Sequence, residues 1–287
     1  MHVPIARAKE AVAIAAPLDA DCAVAIGGGS TVGLGKAIAL ESPLPIIGIP
    51  TTYAGSEMTP IYGITENGLK RTGRDARVLP RTVIYNPHLS RGLPAAMSFV
   101  SSINAIAHAA EGLYAQDGNP VMSLMAEEGI RSLASGLRKL RADPQDLDAR
   151  SSCLYGAWLC GTVLGQVGMA LHHKLCHTLG GSFNLPHAET HAIILPHALA
   201  YNAAVRPDAM RRIARALDAS DAAQGMFDLS QELGITLALG EIGMPADGLD
   251  QACDIAVANP YWNPRPIEAA PLRQRLQLAW SGSRLAM

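Results

Sequence analysis

Residues 21–36, DCAVAIGGGSTVGLGK, decide the fold. Ala23, Val24, Ala25 and Ile26 form an apolar run that stops at three successive glycines. A parallel strand covered on both faces reads as such a run. Glycines between a strand and a helix let backbone N–H groups approach a phosphate, and the following helix N-terminus favours negative charge. A helix is expected over 31–40, with Ser30 or Thr31 as its cap. A second apolar run, Pro45 to Pro50, completes one βαβ unit. The loop after it, Thr51 to Glu57, then falls at the same carboxyl edge of the sheet, where open α/β sheets bind ligands. Hydroxyls at Thr51, Thr52 and Ser56 suit phosphate, ribose or carboxamide groups. The glycines do not make a G-x-G-x-x-G fingerprint, and Gly27 to Ser30 alone reads equally well as a tight capped turn.

Outward from this unit, residues 6–15 read as a helix with no strand before it. Residues 62–65 and 82–85 read as strands, and 66–75 as a polar loop. That loop carries Lys70, Arg71 and Arg74, cations able to hold a dicarboxylate near a cleft. Beyond Pro94 the pattern turns helical, at 95–116, 120–140, 146–180, 188–203, 207–217 and 221–234. Residues 259–266, NPYWNPRP, are locked by proline, and a last helix follows. The expected organisation is an α/β nucleotide-binding domain, 1–95, followed by an all-helical domain, 96–287. Only two convincing buried parallel strands precede residue 51, so the sheet reads as incomplete, with its first strands missing.

The chain has 287 residues, 49% apolar and 17% charged, enough to build a large core. A net charge of −2 and 5% aromatic residues give no basic or stacking surface for nucleic acid or an anionic membrane. Five cysteines without a C-x-x-C pair imply free thiols and a reducing, cytoplasmic compartment. The N-terminus has no signal-peptide pattern. Residues 151–171 lack charge, but their serines, glycines, Thr162 and Gln166 make them a buried helix rather than a membrane span.

Six of the nine histidines lie between 172 and 197. His173 and His177 are four apart and share a helix face, as do Asn104 and His108, with Glu111 one turn on. His187 follows a glycine-rich turn. These residues could converge on one centre, and imidazole suits both a divalent metal and proton transfer near neutral pH. His172, His191 and His197 read more simply as hydrogen-bonded core residues.

These motifs together resemble the iron-containing alcohol dehydrogenase family. The resemblance rests on Gly27 to Ser30 after a strand, on Thr51-Thr52 with Gly55-Ser56-Glu57, and on Asn104-x-x-x-His108-x-x-Glu111. It also rests on His173-x-x-x-His177-x-Leu179-Gly180, Pro186-His187 and Leu195-Pro196-His197. Within the family the runs TTYAGSEMTP (51–60), KRTGRD (70–75), GGSFNLPHAETH (180–191) and NPYWNPRP are similar to the maleylacetate reductase branch. Gly33 stands where the alcohol dehydrogenases usually carry Asp.

The resemblance implies a dehydroquinate synthase-like fold and NADH or NADPH held by Gly28, Gly29, Ser30, Thr51, Thr52 and Ser56. It implies reduction of maleylacetate to 3-oxoadipate in aromatic-ring breakdown, by a homodimer. The catalytic candidates are His173, His177, His108 and His187, with Tyr53, Lys70 and Arg71 toward the substrate carboxylates. The family's iron or zinc positions fall on Asn104, His108, His173 and His187. Asn104 replaces the family's Asp and loses the charge that favours a dication. Family members are longer, and the absent part corresponds to their opening strands. The competing readings are a metal-dependent alcohol dehydrogenase, a non-catalytic truncated remnant, and a lyase on the related synthase scaffold.

Overall fold

The computed structural model describes residues 3–66 and 69–285, with Glu66, Leu69 and Lys70 as backbone alone. A two-residue strand, β1 (Val3–Pro4), leads into helix α1 (Ile5–Ala15), then β2 (Ala23–Gly27), α2 (Gly29–Glu41) and β3 (Ile46–Pro50). β4 (Ile61–Glu66), β5 (Leu69–Arg74) and β6 (Thr82–Val83) follow. β2, β3 and β6 form one parallel sheet in that order, with Gly27 opposite Pro50. Both ligand-edge loops therefore leave the same end, and Thr51 N–H donates to the Gly27 carbonyl at 3.0 Å. A second small sheet has the order β1-β4-β5.

Three expectations are corrected here. Most of the stretch expected as a loop, 66–75, is strand: β5 pairs antiparallel with β4, from Glu66 opposite Leu69 to Ile61 opposite Arg74, and residues 67 and 68 lie outside the described residues. The polar sequence of β5 carries no apolar alternation, because β5 lies at the edge of its sheet, in the order β1-β4-β5. Helix α1 does have a strand before it, since β1 pairs with β4. Helix α2 starts at Gly29 with Gly28 as its N-cap, so Ser30 and Thr31 lie in its first turn and neither caps it.

The loop after β3 is held from two sides. The ammonium of Lys36, buried in α2, donates to the Ser56 and Ile61 carbonyls at 2.7 Å and to the Thr59 carbonyl at 2.9 Å. On the other side Gly55 adopts φ +77°, and a Cβ there would lie 2.8 Å from the Gly161 Cα. Only glycine permits both the left-handed backbone and this approach. The loop thus packs directly on the helical domain.

That domain comprises α3 (Ala95–Gly112), α4 (Pro120–Ala142), α5 (Leu147–Gln166), α6 (Leu171–Phe183), α7 (His187–Asn202), α8 (Pro207–Leu217), α9 (Ala222–Glu232), α10 (Gly248–Ala258) and α11 (Ala269–Ser281). Asn119, Asp146 and Asp221 cap α4, α5 and α9 through their side chains, each cap stabilising by about 1 kcal/mol. Ile103, Ile106, Ile130, Leu133, Cys153, Ala157 and Cys160 belong to one core joining α3, α4 and α5. Burial pushes the Cys153 thiol up to about 12, so it acts as a small apolar residue. A second core joins α6, α7, α10 and α11 through Leu175, Leu179, Ile193, Leu249 and Leu272.

The single helix expected over 146–180 is two, α5 and α6, bent by 93° at residues 167–170. Among the described residues no single helix is long and apolar enough to cross a membrane. Helix α10 was not expected at all; it buries mainly small residues, Ala252, Cys253 and Ala256, which leave little periodic signal.

Candidate active site

The bend between α5 and α6 frees backbone N–H groups that need acceptors. Asp117 takes that of Gly168 at 2.9 Å. Glu111 of α3, fully buried, takes those of Ala170 at 2.8 Å and His172 at 2.6 Å. The N-terminus of α6 also favours this carboxylate through its dipole. The same Glu111 lies 2.7 Å from His173 Nδ1. A carboxylate can only accept, so His173 donates from Nδ1, and its buried Nε2 is left without a protein partner.

Other histidines gather around that ring. His108 of α3 stacks on His173 with ring centroids 5.1 Å apart, and His177 meets it edge-on at 6.1 Å. From α7, His191 lies 5.2 Å from His173, and His187 lies 4.4 Å from His191. Burial, reinforced by His173, His187 and His177, holds the His108 pKa well below the usual range, so this ring is neutral. Burial and the surrounding histidines do the same to His172 and His191. Asn104, one turn before His108, is buried with an unpartnered Oδ1. His177 is exposed, and its Nδ1 lies 3.0 Å from the Tyr261 hydroxyl. Tyr261 comes from the proline-locked segment, which Asn263 fastens to Asn202 through paired amide bonds of 2.8 and 2.9 Å.

The structure thus brings His108, His173, His177 and His187 into one cluster. It does not bring Tyr53 there. Tyr53 is fully buried; its hydroxyl accepts from the Arg150 guanidinium at 3.1 Å and donates to Ser90 at 3.4 Å. Arg150 is itself fully buried and donates to the Pro144 and Leu93 carbonyls, so Tyr53 is a core residue and not a carboxylate contact. Its place in a polar loop gave the wrong impression, because the loop tucks this one ring inward. Arg71 is exposed on β5, and the Lys70 side chain lies outside the described residues. Arg74 reaches the Gly165 carbonyl and ties the hairpin to the last turn of α5. Glu111 carries more than its spacing implied, and Tyr261 and the buried Lys174, whose ammonium lies over the Tyr261 ring at 5.5 Å, were not anticipated.

The edge where the two glycine and threonine loops leave the sheet is built for close approach. Gly27 adopts φ +153°, and a Cβ there would meet Thr31 Oγ1 at 2.4 Å. A Cβ on Gly28 would lie 3.0 Å from Thr52 Cγ2, so the two loops touch. Gly29 and Ser30 open the 13-residue helix α2 at this edge; Thr51, Thr52 and Ser56 are half-buried beside it. Bare backbone at a helix N-terminus fits a pyrophosphate.

The family metal positions do not fit a tightly held dication. Asn104 supplies a neutral amide where a carboxylate would favour the ion, and the nearby carboxylate of Glu111 has both oxygens engaged. A second set, His172, Cys176 and His191, has ligand atoms within 4.8 Å of one another. His172 Nε2 and His191 Nδ1 are only 2.9 Å apart, however. That is a hydrogen bond; two nitrogens on one tetrahedral ion at about 2.1 Å each would stand about 3.4 Å apart.

Residues 98–280 match the model of the C-terminal part of the iron-containing alcohol dehydrogenase family, and residues 1–87 match that of iron-containing alcohol dehydrogenase. The chain belongs to this family. It is 66% identical over 284 residues to maleylacetate reductase from Burkholderia cepacia, covering 99% of this chain and 81% of that protein. The crystal structure of maleylacetate reductase from a Rhizobium species matches with a TM-score of 0.96 at 52% identity, over 99% of this chain and 81% of that one. A Ralstonia eutropha protein described as a putative alcohol dehydrogenase matches with a TM-score of 0.96 at 68% identity, over 100% of this chain and 81% of that one. Within the family the chain falls among the maleylacetate reductases, which are oxidoreductases.

Proposed function

We propose that the chain reduces the carbon–carbon double bond of maleylacetate, giving 3-oxoadipate, at the histidine cluster and without a resident metal ion. The observation that carries this reading is His173: its Nδ1 is fixed by a buried carboxylate while its Nε2 faces the cluster unpartnered. NADH or NADPH supplies the hydride when bound. Gly28, Gly29 and Ser30 hold its pyrophosphate, and Thr51, Thr52 and Ser56 line the same edge.

Hydride addition at the carbon β to the ketone places negative charge on the ketone oxygen. A proton on His173 Nε2 would make an imidazolium beside that oxygen, balanced from behind by Glu111. His177, exposed and oriented by Tyr261, can exchange protons with solvent and deliver one to the α carbon. His108 and His187 close the pocket, and Lys70 and Arg71 are the remaining candidates for a substrate carboxylate.

The test is NADH oxidation with freshly prepared maleylacetate after exhaustive dialysis against chelator. Turnover that added iron or zinc does not raise is expected, with His173→Ala lowering kcat by at least about 100-fold. A strict metal requirement, or a fully active His173→Ala, would sink the proposal.

A further inference from the structure

Helix α2 meets the cofactor edge at two places. Its first turn, at Gly29 and Ser30, opens there directly. About two turns on, the Lys36 side chain leaves the same helix for the loop after β3. Lys36 is 1% exposed. Its ammonium donates to the Ser56 and Ile61 carbonyls at 2.7 Å and to the Thr59 carbonyl and hydroxyl at 2.9 Å. It also lies 3.4 Å from the Ser56 hydroxyl. The Thr59 hydroxyl in turn donates to the Ser56 carbonyl at 3.1 Å.

A charge is kept out of water only where polar partners replace its hydration. Here three backbone carbonyls of one short loop do so, and three N–H groups with no acceptor are what they require. Burial pulls the Lys36 pKa down to about 7, and Glu57, buried in the same loop, opposes the fall. A neutral amine would still keep two of the bonds, so the grip does not depend on the proton. An apolar side chain could fill this space; what Lys36 adds is a fixed place for the loop. The start of the loop is fixed otherwise, with Thr51 N–H on the Gly27 carbonyl at 3.0 Å and Thr52 against Gly28. Ser56 lies beyond that reach, between Gly55, seated on Gly161, and the Lys36 ammonium.

We infer that Lys36 is a positioning residue for the nicotinamide dinucleotide. It ties Ser56 to the helix whose N-terminus faces the pyrophosphate, and so fixes the spacing between the two walls of the cofactor edge. The inference rests on the reading of this edge as the cofactor site. Lys36 acts through Ser56 and touches no ligand itself. Its loss therefore moves cofactor affinity, because the loop must be ordered at binding, and leaves the chemical step at saturating cofactor largely alone.

The test combines NADH fluorescence titration, kinetics and hydrogen exchange. Lys36→Met keeps the stem and removes the donors. It is expected to weaken NADH binding about 10- to 100-fold, with kcat at saturating NADH within about threefold of the parent. Ser56→Ala is expected to cost at least about threefold less affinity in the Lys36→Met background than in the parent, because both act through one group. Thr59→Val removes only the hydroxyl link. It is expected to show the same pattern at about threefold, and it carries the test if Lys36→Met does not fold. In free protein, the Met58 and Thr59 amides, bonded to the Gly55 and Ser56 carbonyls at 3.1 and 3.2 Å, are expected to exchange faster in both variants while those of β2 do not. A fall in kcat with NADH affinity unchanged, additive losses in the double variant, or unaltered exchange in the loop would each overturn the inference. If the unmodified chain binds no NADH, the cofactor reading falls instead, and the exchange measurement still decides whether this anchor sets the loop.

Discussion

Glu111 does two jobs with one carboxylate. It satisfies the N-terminus of α6 and fixes the His173 tautomer. Glu111→Gln keeps the size but can turn an N–H toward His173 Nδ1, forcing the proton to the other nitrogen. Its kcat is expected to fall about 10- to 100-fold with KM for NADH unchanged, as for other residues that orient a histidine from behind. Stopped-flow turnover at saturating cofactor checks this; an unchanged kcat would remove Glu111 from the mechanism. Asn104→Asp should have the opposite character. It restores a carboxylate one turn from His108 and is expected to gain stoichiometric zinc by elemental analysis while the parent chain binds none. At this scale the sequence was informative about residue type and spacing, and blind to direction. The four-residue spacings found His173, His177, Asn104 and His108, but nothing local could show that Tyr53 turns inward to Arg150, 97 residues away. Nor could spacing show that Glu111 reaches a bend 59 residues downstream.

Among the elements, the strand–glycine–helix unit and most helices were legible because apolar periodicity and caps are local. The bend between α5 and α6 was not, because its N–H groups are satisfied by Asp117 and Glu111 from another segment. Hairpin strand β5 was hidden because its pairing, not its burial, makes it a strand. Packing α3, α6 and α7 together buries several neutral imidazoles, with a consequence for stability. His108, His172 and His191 have folded pKa values well below the usual range, and burial brings His197 down to about 4. As pH falls below about 6.5, the unfolded chain takes up protons that the folded chain refuses. Stability is therefore full above that pH and lost below it, by up to about 1.4 kcal/mol per pH unit for each such group. Urea midpoints at pH 7.5 and 5.5 should differ sharply, the lower pH being less stable. Coincident midpoints would mean these rings are not held neutral.

For the whole molecule, the α/β part is the thinner half. β2 is an edge strand of its sheet among the described residues, with Val24 54% and Ile26 55% exposed. An exposed apolar edge promotes association. Replacing both residues with Lys is expected to lower light scattering at high protein concentration, and no change would show that this face is not adhesive. The helical half, by contrast, holds the histidine cluster between well-packed layers and receives the loop after β3 through the contact of Gly55 with Gly161.

We propose that hydride from NADH or NADPH adds to the carbon–carbon double bond while the histidine cluster, without a metal ion, supplies the charge stabilisation and the proton. The direct measurement is proton NMR of the product formed from maleylacetate and NADH deuterated at the transferred position, using chelator-treated protein. The expected product is 3-oxoadipate with one deuterium on the carbon β to the ketone. Deuterium on a carbinol carbon, or product only after a metal is added, would contradict it.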